Sequence, residues 1–354
     1  MKKTLKILNP AQNLQARIHS KMSIQAAVIG YGYWGRNVAR ALHNSTEFAL
    51  HTIYDEDKAA QAKAQEDYEI TPYVSYEAIL ADSKIQAIFI ITPPQTHFAL
   101  AESALKHHKH TFVEKPITTQ YTQAQALYAL AKKQNKILYC DHIFLHSPAV
   151  QYLKEQIKSF GEIVYINARR INLGLFQSNV DVIWDLAIHD LSIIDYLVGL
   201  HIKEVSTFKT RYLDYPNDAL ANINLRLESG IIITLSVSWL SPIKVREMII
   251  GGSKKTAIYD ETKKDKIALF DTGVVIKDTF DTNSLYQKMV EYKLGEQLTP
   301  TLPNTMALDN SIAYFASLIL SDNLTQSQSV ESKCDEGHIL RVIKAIEIIQ
   351  DSHT

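Results

Sequence analysis

The chain has 354 residues, which predicts two domains, each long enough to bury its own core. Hydrophobic residues make up 46% and charged residues 21%, while only 12 glycines and 10 prolines occur; this excludes disordered, collagen-like and linker-dominated chains. With 37 basic against 38 acidic residues the net charge is −1, so no electrostatic footprint for nucleic acid or a membrane surface is expected.

Residues 1–22 form an N-terminal extension. Lys2, Lys3, Lys6, Arg17 and Lys21 stand there without an acid before Met22, a second candidate start. A secretory signal is not expected, because Asn9, Pro10, Gln12 and Asn13 interrupt any apolar core. A transit peptide and a loosely ordered extension are the two remaining readings.

Ile24–Ile29 is a short apolar run suited to a buried parallel strand. Gly30-Tyr31-Gly32-Tyr33-Trp34-Gly35 follows, then a helix over about Arg36–Leu42. A second strand is predicted at Phe48–Tyr54, ending at Asp55, and an alanine-rich helix at Asp57–Gln65. Strands at Ala87–Thr92, Thr111–Val113 and Ile137–Cys140 alternate with helices at Thr96–Lys106 and Gln123–Lys133. This alternation over 23–142 predicts a doubly wound, parallel-sheet Rossmann domain. Lys106-His107-His108-Lys109-His110 reads as a solvated helix end.

From 143 to 354 the texture changes to an α+β domain. Helices are predicted at Ser147–Ser159, Ile183–Leu197, Thr305–Leu320 and Glu336–Gln350. Strands are predicted at Ile163–Ile171, Glu204–Tyr212, Ala221–Leu227, Ile231–Trp239, Val245–Ile250 and Lys255–Tyr259. Short turns join several of the strands, so a large, mostly antiparallel open sheet is expected. Apolar stretches such as Ala87–Ile91 and Ile231–Leu235 are far too short to span a membrane. Two cysteines, Cys140 and Cys334, are too few for a disulfide scaffold and suggest a cytoplasmic protein.

Three features carry chemistry. Gly30-x-Gly32-x-x-Gly35 lies between a strand and a helix, where one glycine makes the turn, one admits a pyrophosphate and one lets helix pack on strand. The helix N-terminus adds N–H groups and a positive dipole end. Asp55, twenty residues on, ends the second strand, where a carboxylate can bind the adenosine ribose. The acidic Asp55-Glu56-Asp57 run favours NAD over NADP, although Arg36 and Lys58 are near in sequence. Glu114-Lys115-Pro116 ends a strand on the ligand-binding edge of the sheet; Lys115 reads either as a donor to a substrate oxygen or as a solvated partner of Glu114. Asp185 and His189 stand at i, i+4 on one helix, either as a proton-transfer pair or as a structural pair. No metal site is expected, since no third ligand has matching spacing. Lys244 and Arg246 read equally as phosphate contacts or as cross-strand charge pairs.

In this order, with Thr92-Pro93 and Thr96-His97 between the first two features, the motifs resemble the Gfo/Idh/MocA oxidoreductases over residues 24–260. Arg170-Ile-Asn172-Leu173-Gly174, Trp184-Asp185-Leu186-Ala187-x-His189-Asp190 and Val237-Ser-Trp239-Leu are similar to a subgroup linked to nucleotide-sugar metabolism. The resemblance implies catalytic roles for Lys115, His189 and Asp185, and a Lys115–Pro116 peptide that is often cis. It implies cofactor contacts from Gly30, Gly32, Tyr33, Trp34, Gly35, Asp55, Thr92, Pro93, His97, Glu114 and Lys115. Substrate contacts are expected from Lys115, Arg170, Asn172, Trp184, Asp185 and His189. The chain departs from the subgroup at Asp141, where glycine is common, at Ile188, where proline is common, and at Asp181–Trp184, where many relatives carry a glycine-rich turn. The expected function is NAD-dependent hydride transfer from a ring hydroxyl carbon of a sugar or nucleotide sugar. A non-catalytic dinucleotide-binding regulator and an enzyme using NAD transiently for elimination or hydrolysis are the alternatives. A homodimer or homotetramer is expected by analogy.

Overall fold

The computed structural model describes residues 23–271, 273–276, 290–293, 295–321 and 334–352. The N-terminal extension lies outside them. Two compact units emerge: the first holds 23–117, 125–141 and 308–321, and the second holds 118–124, 142–307 and 334–352.

In the first unit, β1 (Ile24–Ile29), β2 (Phe48–Tyr54), β3 (Ala87–Ile90), β4 (His110–Glu114) and β5 (Leu138–Asp141) form one parallel sheet in the order β2-β1-β3-β4-β5. Strands covered on both faces need no polar alternation, so they read as near-continuous apolar runs; all four residues of β3 are buried. Helix α1 (Tyr33–Asn44) buries Gly35, Val38, Ala39 and Leu42, an i, i+3, i+4, i+7 stripe. Helix α2 (Lys58–Asp67) starts where the Asp57 side chain accepts from the Ala59 N–H at 2.8 Å. A short helix absent from the expected series, α3 (Tyr76–Ala81), is capped in the same way by Ser75. Helices α4 (Pro94–Lys106) and α5 (Tyr121–Gln134) complete the crossovers. Lys109 is buried, not solvated as expected: its ammonium donates to the carbonyls of Asp82 and Ile85 at 2.7 and 2.8 Å.

The chain returns to this unit late. Helix α8 (Ala307–Leu320), which the sequence reading put with residues 143–354, belongs to the first unit. Its Phe315 ring lies 5.5–5.9 Å from those of Phe48, Phe89, Phe112 and Tyr139, and so closes the sheet's open face.

The second unit has α6 (Pro148–Gln156), β6 (Ile163–Leu173), α7 (Ile188–Val198), β7 (Ile202–Arg211), β8 (Asp218–Leu227), β9 (Ile232–Ser238), β10 (Leu240–Gly252), β11 (Thr256–Asp260), β12 (Ile267–Phe270), β13 (Gly273–Ile276), β14 (Val290–Lys293), β15 (Gln297–Leu298) and α9 (Glu336–Asp351). Eight strands form a sheet in the order β15-β12-β11-β10-β6-β9-β8-β7, antiparallel except for the parallel pair β6–β9; β13 and β14 pair separately. Along β8, buried Ala219, Ala221, Ile223, Leu225 and Leu227 alternate with exposed Asn222, Asn224 and Arg226, the period of a sheet with one covered face. Helices α7 and α9 pack together on that side, and the apolar stripe of α9 runs from Ile339 to Ile349.

Candidate active site

The first unit carries the glycine loop. Gly30 has φ +97°, and a Cβ there would stand 2.7 Å from the Ile91 carbonyl oxygen. A Cβ on Gly35 would fall 2.1 Å from the Gly30 oxygen, so only glycine lets α1 approach the turn. Gly32 differs, because a Cβ there would meet nothing within 4 Å. That open side lies at the N-cap of α1, which has no capping side chain. Two glycines are thus fixed by packing and one by room for a ligand, which fits a dinucleotide pyrophosphate at a helix N-terminus. Asp55 is clamped beside it: one carboxylate oxygen accepts the Tyr31 N–H at 2.6 Å and the other the Asp57 N–H at 2.8 Å. The Tyr31 hydroxyl donates to Asp67 at 2.8 Å, and Arg36 lies over the Tyr31 ring. Tyr33 is exposed and Trp34 half-buried.

Thr92 and Pro93 sit between β3 and α4, and the Thr92 and Thr96 hydroxyls are 2.6 Å apart. His97, expected to line the cofactor, is fully buried and has no surface to offer a ligand. Its ring nitrogens reach the carbonyl oxygens of Pro116 and Thr92, each at 2.7 Å. Burial lowers its pKa, and these two hydrogen bonds oppose the shift without reversing it. His97 therefore ties the β3–α4 loop to the Glu114-Lys115-Pro116 turn, where the Lys115–Pro116 peptide is cis. Glu114 and Lys115 are half-buried at the carboxyl end of β4.

The second unit carries the other constellation. Residues Ile183–Ala187 form a π-helical turn leading into α7, a widening common at functional sites. Asp181 starts it by accepting the Ile183 and Trp184 N–H groups, both at 3.0 Å, so an aspartate side chain caps the turn. Within the turn, Asp185 accepts from the Trp239 indole at 2.9 Å, so Trp239 fixes this carboxylate from β9's end. His189 is half-buried on α7, with the Phe144 ring edge-on at 4.9 Å.

Arg170 was expected to touch substrate, and its surroundings correct that role. It is 1% exposed and pairs bidentately with Asp190, at 3.0 Å through Nε and 2.8 Å through Nη2. Glu261 approaches its other amino group at 3.5 Å without a hydrogen bond, and Phe144 stacks under the guanidinium at 4.7 Å. Burial opposes the charge, but Asp190 and Glu261 outweigh it and raise the pKa. Arg170 thus anchors the residue next to His189 and presents no exposed surface to a ligand. Trp184 is almost fully buried, and Asn172 is half-buried with its Oδ1 enclosed and without a hydrogen-bond partner. Arg246 lies beside Glu261 at 3.9 Å, a cross-strand charge pair. Sequence reasoning missed the anchoring roles of Asp190 and Trp239, although both stand inside the quoted motifs.

Among the described residues there is no group of three or more metal-binding side chains, and no helix is long and apolar enough to cross a membrane.

Comparison with known proteins shows the family and the fold. Residues 24–142 match the oxidoreductase family model with an NAD-binding Rossmann fold, and residues 151–258 match the Gfo/Idh/MocA C-terminal domain. A UDP-N-acetylglucosamine 3-dehydrogenase from Acidithiobacillus ferrooxidans is 30% identical over 238 residues, 67% of this chain and 74% of the relative. The chain is a Gfo/Idh/MocA family oxidoreductase. A solved structure of that dehydrogenase aligns with a TM-score of 0.75 at 25% identity, covering 93% of this chain and 97% of the other. A 2,7-anhydro-N-acetylneuraminate hydratase from Escherichia coli is 24% identical over 252 residues, 65% of this chain and 66% of the relative. A 3-ketoreductase from Actinomadura kijaniata, solved with TDP-benzene and NADP, shares the fold at 18% identity and a TM-score of 0.76, covering 93% of this chain and 97% of that one.

Proposed function

We propose that this oxidoreductase is an NAD-dependent dehydrogenase acting on a ring hydroxyl of a nucleotide sugar. The observation that carries the substrate class is the match across three quarters of a UDP-N-acetylglucosamine 3-dehydrogenase. NAD, when bound, supplies the hydride acceptor. His189 takes the proton of the reacting hydroxyl as its carbon gives up hydride. Lys115 donates to a substrate oxygen and stabilises developing alkoxide character. Asp185, held by Trp239, orients the imidazole or a neighbouring hydroxyl. Gly30, Gly32, Tyr33, Trp34 and Gly35 form the phosphate loop, with Thr92, Pro93 and Glu114 along the same sheet edge. Arg170 and His97 position other groups, and half-buried Asn172, near the end of β6, contacts the sugar.

The clamped Asp55 carboxylate supports NAD, because a 2′-phosphate there would meet an anion already fixed by two N–H groups. Two buried thiols without a disulfide support a reducing cytoplasm. Tyr165, Phe208 and Ile232 are apolar residues exposed on the solvent face of the large sheet, which supports a homodimer or homotetramer through that face. A second reading, transient use of NAD without net NADH formation, is favoured by the match to a hydratase. Thermal-shift screening of UDP-, dTDP- and GDP-sugars with NAD tests the substrate class. Stabilisation by UDP-sugars above the others is expected, and equal response to all three, or to none, contradicts it.

A further inference from the structure

At the carboxyl edge of the first unit's sheet, Glu114 on β4 and Asp141 on β5 stand opposite each other in register. Register partners in a parallel sheet project to the same face. Two residues earlier, the partners Phe112 and Tyr139 do so, with ring centroids 5.2 Å apart. Asp141 is fully buried. Its Oδ1 accepts the Ser311 hydroxyl at 2.7 Å, and Ser311 lies 2.9 Å from the Tyr139 hydroxyl. Its Oδ2 is buried and has no hydrogen-bond partner. On the other flank, the indole of Trp34, from the glycine loop, approaches Glu114 without completing a hydrogen bond, so its buried N–H is likewise unsatisfied.

Asp141 is fully buried and Glu114 half-buried, and two carboxylates that share a site resist ionising together because each negative charge disfavours the other. Among the described residues, the charged groups acting on the pair are the two carboxylates themselves and Lys115; Ser311, Tyr139 and Trp34 add neutral hydroxyls and an indole. Burial raises both carboxyl pKa values, Asp141 raises that of Glu114 further, and only Lys115, Trp34, the Lys115 N–H and the Ser311 hydroxyl oppose this. A dinucleotide carries negative phosphates to the loop that holds Trp34, and ligands of open α/β sheets sit at this edge. An arriving anion disfavours a second negative charge on the pair.

We propose that Glu114 and Asp141 hold one proton as a pair, that Asp141 is a positioning residue acting through Glu114 and Trp34, and that dinucleotide binding is linked to uptake of that proton. The linkage rests on the dinucleotide-binding reading of the glycine loop, but not on the substrate.

Infrared titration of the cofactor-free protein tests the pair. A protonated-carboxyl band present near pH 7 and lost on alkalinisation is expected in the wild type, and Asp141→Asn and Glu114→Gln each remove it. Absence of the band from the wild type, or its persistence in both variants, overturns the shared proton. Calorimetry of NADH and NADPH binding in buffers of different ionisation enthalpy tests the linkage. Above neutral pH the wild type is expected to take up up to about one proton per dinucleotide, weakening its affinity by up to about tenfold per pH unit, while both variants take up almost none. Binding of neither dinucleotide overturns the cofactor reading and the linkage together, whereas binding without proton uptake overturns the linkage alone. Should Asp141→Asn fail to fold, Glu114→Gln reads the same proton from the other side.

Discussion

Replacing Arg170 with methionine removes a buried cation while keeping most of its length. Asp190, whose side chain is 4% exposed, then loses both of its charge-assisted hydrogen bonds, and Glu261 keeps only the more distant Arg246. Breaking a buried pair from one side costs about 3–5 kcal/mol. For a unit of this size that lowers the melting midpoint by roughly 6–20 °C. The double variant Arg170→Met/Asp190→Leu leaves no orphaned charge and regains most of that stability. It does not restore function, because the anchor beside His189 is gone, and turnover stays down by about tenfold or more, roughly 1.4 kcal/mol in the barrier. Melting followed by circular dichroism, with turnover of the folded variants, separates the two effects. A single variant within about 1 kcal/mol of wild type, or a double variant less stable than the single, refutes the assignment of Arg170 as a buried anchor.

Three further changes have defined outcomes. Gly35→Ala drives a Cβ into the Gly30 carbonyl and is expected to abolish NADH binding measured by fluorescence; retained binding counts against the loop geometry. Asp55→Asn leaves one of the Tyr31 and Asp57 N–H groups facing an amide nitrogen that cannot accept; NAD affinity falls by about tenfold or more while NADP affinity does not, and parallel loss of both contradicts the selectivity argument. Glu114 and Asp141 both have folded pKa values above their ordinary ones, so their destabilising effect is absent below the unfolded carboxylate range and grows as pH rises through the folded values. Asp141→Asn is therefore expected to raise the urea midpoint more near pH 8 than near pH 5, and an equal gain at both contradicts this.

Features set by local chemistry could be read from the sequence. The apolar runs of β1 and β3 mark strands covered on both faces, and the three glycines mark a turn in which Ile91 and the Gly30 carbonyl leave no room for a Cβ on Gly30 or Gly35. Long-range partners could not be read. The apolar stripe of α8 says that it is buried, not that Phe315 lies among four rings of a sheet formed some 200 residues earlier. Nothing around Arg170 announces that Asp190 reaches it from another element, so a buried anchor looked like a ligand contact. A π turn leaves the spacing of Asp185 and His189 unchanged and is invisible in the string. Asp141 stood out only as a departure, and its register opposite Glu114 gives that departure a meaning.

Hydride transfer from a nucleotide-sugar hydroxyl, with Lys115 and His189 acting on the reacting oxygen, is the proposed reaction. It is tested most directly by following NADH absorbance with NAD and UDP-N-acetylglucosamine. The wild type is expected to produce NADH, while Lys115→Ala and His189→Ala lose about 100-fold or more of turnover and still bind NADH. No NADH from any nucleotide sugar, or full turnover by either variant, contradicts the account.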